Sequence, residues 1–221
     1  MNDDLKRQAA LDALREIRDG MIVGLGSGST ASIFIRELGK AKLDVLGIPT
    51  SEESARIAAE VGVKLTTFND HPEIDVTVDG ADEVSPELDL TKGLGGALVR
   101  EKIVAYASKR VVIIVDESKL VQKLGSKTVI PIEVIPLAVP RILHQLKQGL
   151  VRMRNDKPFV SDNGNYTVDW KSGPIDDPAA VEKQLKAMTG VVDCGIFAGV
   201  ANLVIVAGAS GIQQKGNKSR G

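Results

Sequence analysis

Val111 to Val115 is an unbroken run of β-branched residues. Extended, it is apolar on both faces, so a strand built from it must be covered from both sides. Shorter runs precede it at Met21 to Val23, Leu43 to Ile48, Lys64 to Thr67 and Ile74 to Val78, with helical spacing between them. Ala10, Ala13, Leu14 and Ile17 share one helical face that Gly20 closes as C′ residue. Ala31 to Leu38 and Leu98 to Ala107 read as helices, and Thr50 with Glu53 has capping-box spacing for a helix that Gly62 ends. Apolar strands alternating with helices predict an α/β fold, a mostly parallel sheet with helices on both faces.

From about residue 128 the rhythm changes. Strand Val129 to Ile135, helix Leu137 to Gln148, and strands Val151 to Arg154 and Tyr166 to Trp170 follow, with Asp162-Asn163-Gly164-Asn165 as the turn. Asp177 offers an N-cap before Pro178, Gly190 stops that helix near Thr189, and a strand runs from Val191 to Ile196. The order βαββαβ is that of a ferredoxin-like α+β unit. Leu203 to Ala207 returns the chain to the first sheet. The expected domains are therefore 1–127 plus 203–221, with 128–202 inserted; the polar end 215–221 is expected to fray.

Among 221 residues, 28 Lys and Arg stand against 29 Asp and Glu, a net charge of −1 that disfavours nucleic acid and anionic membranes as partners. Seven aromatic residues offer no base-stacking platform. The apolar runs fall far short of the roughly 18 residues a membrane span needs. One cysteine, Cys194, excludes an internal disulfide, and with only two histidines no closed structural zinc site can form. The N-terminus opens Met1-Asn2-Asp3-Asp4 without the basic and apolar regions of a secretion signal, so a metal-free cytoplasmic protein is expected.

Four bends carry possible chemistry. Gly24-Leu25-Gly26-Ser27-Gly28-Ser29-Thr30 joins a strand to a helix, and its small residues let backbone N–H groups meet a phosphate at the helix N-terminus. It lacks the lysine of a nucleotide P-loop and the third glycine of the dinucleotide fingerprint, and a tight turn that binds nothing would look the same. Asp79-Gly80-Ala81-Asp82-Glu83 follows an apolar strand where open α/β sheets place ligands, but a solvated acidic loop fits equally. Lys92-Gly93-Leu94-Gly95-Gly96 precedes a helix whose first turns carry Glu101, which supplies an oxyanion site and a base. The commoner fate of such a glutamate is an exposed ion pair with Arg100 or Lys102. Asp116-Glu117-Ser118-Lys119 opens on the same sheet edge, and Lys119 is either a phosphate contact or simply solvated. His71, His144, Cys194 and Trp170 stand alone and read as structural.

Taken together, these strings resemble ribose-5-phosphate isomerase of the A type. The match rests on Gly26-Ser27-Gly28-Ser29-Thr30-Ala31, Val78 to Glu83, Lys92-Gly93 with Gly95, Arg100-Glu101-Lys102, Asp116 to Lys119, Pro131 to Pro136 and Ser161-Asp162-Asn163-Gly164-Asn165. Ser27 stands where threonine is common, and Leu94 interrupts the usual glycine triplet. The resemblance implies a Rossmann-like domain carrying an inserted α+β domain, no metal or organic cofactor, and a homodimer or homotetramer. It assigns substrate binding to Ser27, Gly28, Ser29, Thr30, Asp79, Gly80, Ala81, Asp82, Lys92, Gly93, Leu94, Gly95 and Lys119, with Glu101 as general base.

The chemistry of moving a carbonyl between C1 and C2 of a sugar phosphate agrees. One carboxylate can take a proton from one carbon and return it to the next, while fixed donors, here Lys92 and the N–H groups of Gly93 to Gly96, meet the developing oxyanion. Asp79 and Asp82 would relay protons to the ring and hydroxyl oxygens as the cyclic sugar opens. Two other readings compete: a coenzyme A transferase with a nucleophilic glutamate, and a non-catalytic sugar-phosphate sensor. The sensor normally follows a DNA-binding helix-turn-helix, and the residues before Gly24 offer one helix.

Overall fold

The computed structural model describes residues 3–216, so Met1, Asn2 and the tail from 217 onward lie outside the described residues. By internal contacts the chain forms two compact units. One takes in the chain through Ala81, Arg100–Lys119 and the chain from Val200; the other takes in Asp82–Val99 and Leu120–Gly199, a longer share than the 128–202 segment.

The first unit is built on a seven-stranded sheet whose order is Gly211–Gly216, Leu203–Gly208, Ser108–Asp116, Ile74–Asp79, Ile22–Leu25, Leu46–Pro49 and Lys64–Leu65. Every neighbouring pair is parallel except the last hairpin, where Leu203–Gly208 and Gly211–Gly216 run antiparallel. The α/β expectation thus holds, and Leu203 does return the chain to this sheet, beside Val112. Val111 to Val115 are all buried. Helices Asp3–Ala13 and Ser29–Ala41 close one face with Ala9, Ala10, Ala13, Phe34, Ile35 and Leu38 against Val23, Leu25, Val76, Val112 and Ile114.

Three local expectations are corrected. The first helix ends sooner, its last turn tightening into a 3-10 turn at Leu14–Glu16, so Gly20 is not its C′ residue. The helix Glu52–Glu60 is capped by Ser51 and Ser54, not by Thr50 and Glu53. Thr50 instead donates its hydroxyl to the Leu25 carbonyl at 3.0 Å, which ties it to the neighbouring strand. Lys215 and Gly216 of the tail complete the edge strand Gly211–Gly216, while the rest of the expected frayed end lies outside the described residues.

The second unit contains a four-stranded antiparallel sheet in the order Val191–Cys194, Ile130–Val134, Tyr166–Trp170, Gly149–Val151. This is the ferredoxin-like arrangement that the βαββαβ order predicts, with helices Val139–Gln145 and Pro178–Lys186 packed over Ile130, Ile132, Val134, Val168 and Cys194. Asp177 caps its helix as expected, accepting from the Ala180 N–H at 2.9 Å. A small sheet of three two-residue strands, Ile196–Phe197, Leu90–Thr91 and Glu83–Val84, has no counterpart in the sequence reading.

Candidate active site

In the first unit the strand Ile22–Leu25 runs into Gly26, where the backbone passes so close to Asp79 that a Cβ would sit 2.6 Å from its Cα. That approach lets Ser27 N–H donate to Asp79 Oδ1 at 3.0 Å, while Gly80 N–H donates to the same oxygen at 2.7 Å. Asp79 is buried, so its carboxylate binds the first and second predicted bends together. Ser27 Oγ lies 2.7 Å from both Thr50 Oγ1 and Ser51 Oγ, in a hydroxyl cluster that the sequence reading did not identify.

Gly28 is the N-cap of helix Ser29–Ala41 and adopts φ 94°, ψ 176°, a conformation open essentially to glycine alone. The first intrahelical bond runs from Ser32 N–H to the Gly28 carbonyl at 2.9 Å. The N–H groups of Ser29, Thr30 and Ala31 therefore face outward, as an anion site requires. Gly28 and Ser29 are exposed and Thr30 is buried. A Cβ at Gly28 would meet nothing within 4 Å, so Gly28→Ala tests backbone strain alone. We expect it to lower unfolding stability by about 1–3 kcal/mol, read from the denaturation midpoint.

Glu101 lies in the first turn of helix Leu98–Tyr106 and is only 4% exposed. An exposed position for this glutamate is thereby overturned; Lys102 is buried as well, and Arg100 directs Nη1 to Glu52 Oε1 at 2.7 Å. Lys119 ends a 3-10 turn, Glu117–Lys119, and is half-buried. The turn is held by Asp116, which accepts from Ser118 N–H at 2.8 Å. Gly80 and Ala81 are half-buried at the end of strand Ile74–Asp79.

The second unit holds Asp82, Lys92, Gly93, Leu94 and Gly95. Lys92 is buried, its N–H donates to the Gly195 carbonyl at 2.8 Å, and its ammonium lies 5.7 Å from the Phe197 ring centroid. Gly93 and Gly96 take φ 96° and 93°, folding the loop back so that Gly96 N–H donates to the Gly93 carbonyl at 3.0 Å. Leu94 N–H donates to Asp82 Oδ2 at 3.0 Å. Two of the N–H groups expected to serve an oxyanion are therefore spent within the protein, which corrects that part of the sequence reading.

Glu83 is also reassigned. It is fully buried and accepts from three backbone N–H groups, those of Gly125 at 2.6 Å, Lys127 at 2.6 Å and Thr128 at 2.9 Å. It anchors a loop and is unavailable to a ligand. Glu133 plays a similar part: Oε1 accepts from Ser161 Oγ, Asn163 Nδ2 and Asn165 Nδ2, which explains why that turn carries those side chains. His71, Cys194 and Trp170 are structural as expected, His71 against Thr66, Cys194 in the core, and Trp170 donating to the Lys147 carbonyl. Among the described residues no helix is long and apolar enough to cross a membrane.

A parallel α/β sheet with a small-residue strand-to-helix turn, a buried strand-end aspartate and a buried helical glutamate, in a chain that also carries a ferredoxin-like unit, is the make-up of an α/β enzyme. The family model of ribose 5-phosphate isomerase A (phosphoriboisomerase A) matches residues 46–211. Ribose-5-phosphate isomerase A of Chloroflexus aurantiacus is 46% identical over 219 residues, covering 94% of this chain and 91% of that protein. A D-ribose-5-phosphate isomerase solved in complex with phospho-erythronic acid superposes with a TM-score of 0.95 at 41% identity, covering 98% of this chain and 100% of the other. Ribose 5-phosphate isomerase A of Methanocaldococcus jannaschii gives 0.93 at 40% identity, with the same coverage. The chain belongs to the ribose-5-phosphate isomerase A family, and the transferase and sensor readings fall away.

Proposed function

We propose that this protein interconverts D-ribose 5-phosphate and D-ribulose 5-phosphate through an enediolate, as a step of the non-oxidative pentose phosphate pathway. Family membership supports the reaction, and the observation that carries the mechanism is the burial of Glu101. A carboxylate kept from bulk water near the start of a helix suits a proton shuttle between two adjacent carbons. Glu101 removes the proton from C2 of the aldose and delivers it to C1. Asp79 and Asp82 exchange protons with the ring oxygen and hydroxyls while the sugar opens. Ser27, Gly28, Ser29 and Thr30 take the phosphate with Lys119, and Gly80 and Ala81 line the substrate's path. The phosphate end supplies binding energy remote from the reacting carbons. The phospho-erythronic acid bound by the solved relative is an anionic four-carbon phosphate, a ligand of the same chemical class.

Lys92, with the N–H groups of Gly93 and Gly95, meets the oxygen on which negative charge develops. Lys92→Met keeps the apolar stem of this buried side chain and removes the donor. It is expected to lower kcat by about a hundredfold to a thousandfold in the spectrophotometric assay. The function itself is tested by incubating the protein with ribose 5-phosphate and following ribulose 5-phosphate by absorbance, with arabinose 5-phosphate as comparison substrate. Absence of turnover on ribose 5-phosphate would refute the reading. Cytoplasmic residence and a homodimeric or homotetrameric assembly belong to the same proposal. Exposed apolar side chains of the second unit, Leu137 at 92% above all, support the assembly, and sedimentation of the pure protein measures it.

A further inference from the structure

The Lys92–Gly96 loop contains three glycines, and a backbone so free is a poor oxyanion site unless something outside it fixes the peptide planes. Arg152, the residue that follows strand Gly149–Val151 in the same unit, does this. Its Nη1 donates to the carbonyls of both Gly93 and Leu94 at 2.9 Å. Its Nε and Nη2 close a fork on Asp169, to Oδ2 at 2.9 Å and Oδ1 at 2.5 Å. The Arg152 backbone is fixed on both sides, its N–H donating to the Thr167 carbonyl and its carbonyl accepting from Phe159 N–H, each at 2.8 Å. The Phe159 ring in turn lies so close to Gly96 that a Cβ there would stand 2.3 Å from Cζ.

A trans peptide points its N–H opposite its carbonyl. With the Gly93 carbonyl turned to Arg152, the Leu94 N–H must face the other way, and it does, meeting Asp82. The Leu94 carbonyl is held by the same nitrogen, so the Gly95 N–H is turned to that side too.

We propose that Arg152 is a positioning residue of this enzyme: by holding the Gly93 and Leu94 carbonyls it aims the Gly95 N–H at the substrate oxygen that becomes anionic, with Asp169 and Phe159 keeping Arg152 and the loop in place. This rests on the function proposed above for the loop. A lysine cannot substitute, because a single ammonium does not span two carbonyls and both carboxylate oxygens in one plane.

The test compares wild type, Arg152→Met and Arg152→Lys. In Arg152→Met kcat is expected to fall about tenfold to a hundredfold while KM moves by less than about threefold, since the lost interaction serves the transition state. Arg152→Lys should recover only a small part of that loss, and guanidinium added to Arg152→Ala should recover more. Amide hydrogen exchange is measured in parallel on the protein without substrate, where Leu94 and Gly96, whose N–H groups are bonded to Asp82 and to the Gly93 carbonyl, should exchange at least about tenfold faster in Arg152→Met. Wild-type kcat in Arg152→Met, or unchanged exchange at Leu94 and Gly96, overturns the proposal. An inactive wild type with the expected change in exchange overturns the isomerase reading and leaves the loop-holding role standing. Should Arg152→Met fail to fold, Asp169→Asn loosens the fork with the guanidinium retained, and the same two measurements decide.

Discussion

Glu101→Gln is expected to leave binding of ribose 5-phosphate within about threefold of wild type while kcat falls at least about a hundredfold. The amide is nearly isosteric with the carboxylate, so the buried position stays filled and the helix Leu98–Tyr106 keeps its packing. What the amide cannot do is accept a proton from carbon and hand it on. A surface ion pair would give a very different result, because exposed pairs contribute only about 0–1 kcal/mol and nothing to the barrier. Binding is measured by calorimetry with a non-reacting phosphorylated aldonate, and turnover by absorbance. Near-normal turnover would remove Glu101 from its role, and loss of binding with kcat unchanged would make it a ligand contact instead.

How far the sequence discloses this architecture depends on the range of the interaction concerned. Val111 to Val115 and Tyr166 to Trp170 announce themselves because a strand's burial is written in consecutive residues. Asp177 is equally legible, since a cap is chemistry within one turn, whereas the stop is not: the helix ends at Lys186 with Ala187 as C-cap, short of the Thr189 end that Gly190 predicts. Thr50 and Ser51 show where this fails: both hydroxyls could cap the next helix, and the choice falls to Ser51 because Thr50 is drawn away by Leu25, a residue 25 positions earlier. The two-residue strands Glu83–Val84, Leu90–Thr91 and Ile196–Phe197 are too short to show any period.

The site follows the same rule. The turn at Gly26 to Thr30 is visible because small residues crowd a strand-to-helix junction, and Gly28 does take the positive φ that such a turn needs. Whether Glu101 is buried or exposed is not written in its neighbours, since Arg100 and Lys102 on either side would suit both. Arg152 is silent in sequence. Its partners stand 17, 58 and 59 positions away, and only the register of Val151 on Val168 sets Arg152 diagonally across from Asp169.

Glu83→Ala is expected to produce the largest loss of stability, about 4 kcal/mol, although Glu83 reads in sequence as one more acid of a ligand-binding cluster. Its carboxylate is fully buried, and three backbone N–H groups of the segment 125–128 converge on it. Removing one acceptor from a buried donor costs about 1–3 kcal/mol, and alanine removes it from three donors at once, with some recovery as water enters the space. For a chain of this size that loss corresponds to a thermal midpoint lower by roughly 8–16 °C, measured by circular dichroism. Glu83→Gln sharpens the test. Its remaining oxygen can still serve Lys127 and Thr128, while its amide group opposes the Gly125 N–H donor to donor, so about half the alanine effect is expected. A ligand-binding acid would behave in the opposite way: its neutralisation relieves like-charge crowding next to Asp79 and Asp82, and the midpoint would hold or rise as substrate affinity fell. A glutamine variant as stable as wild type would return Glu83 to the substrate side of the cluster.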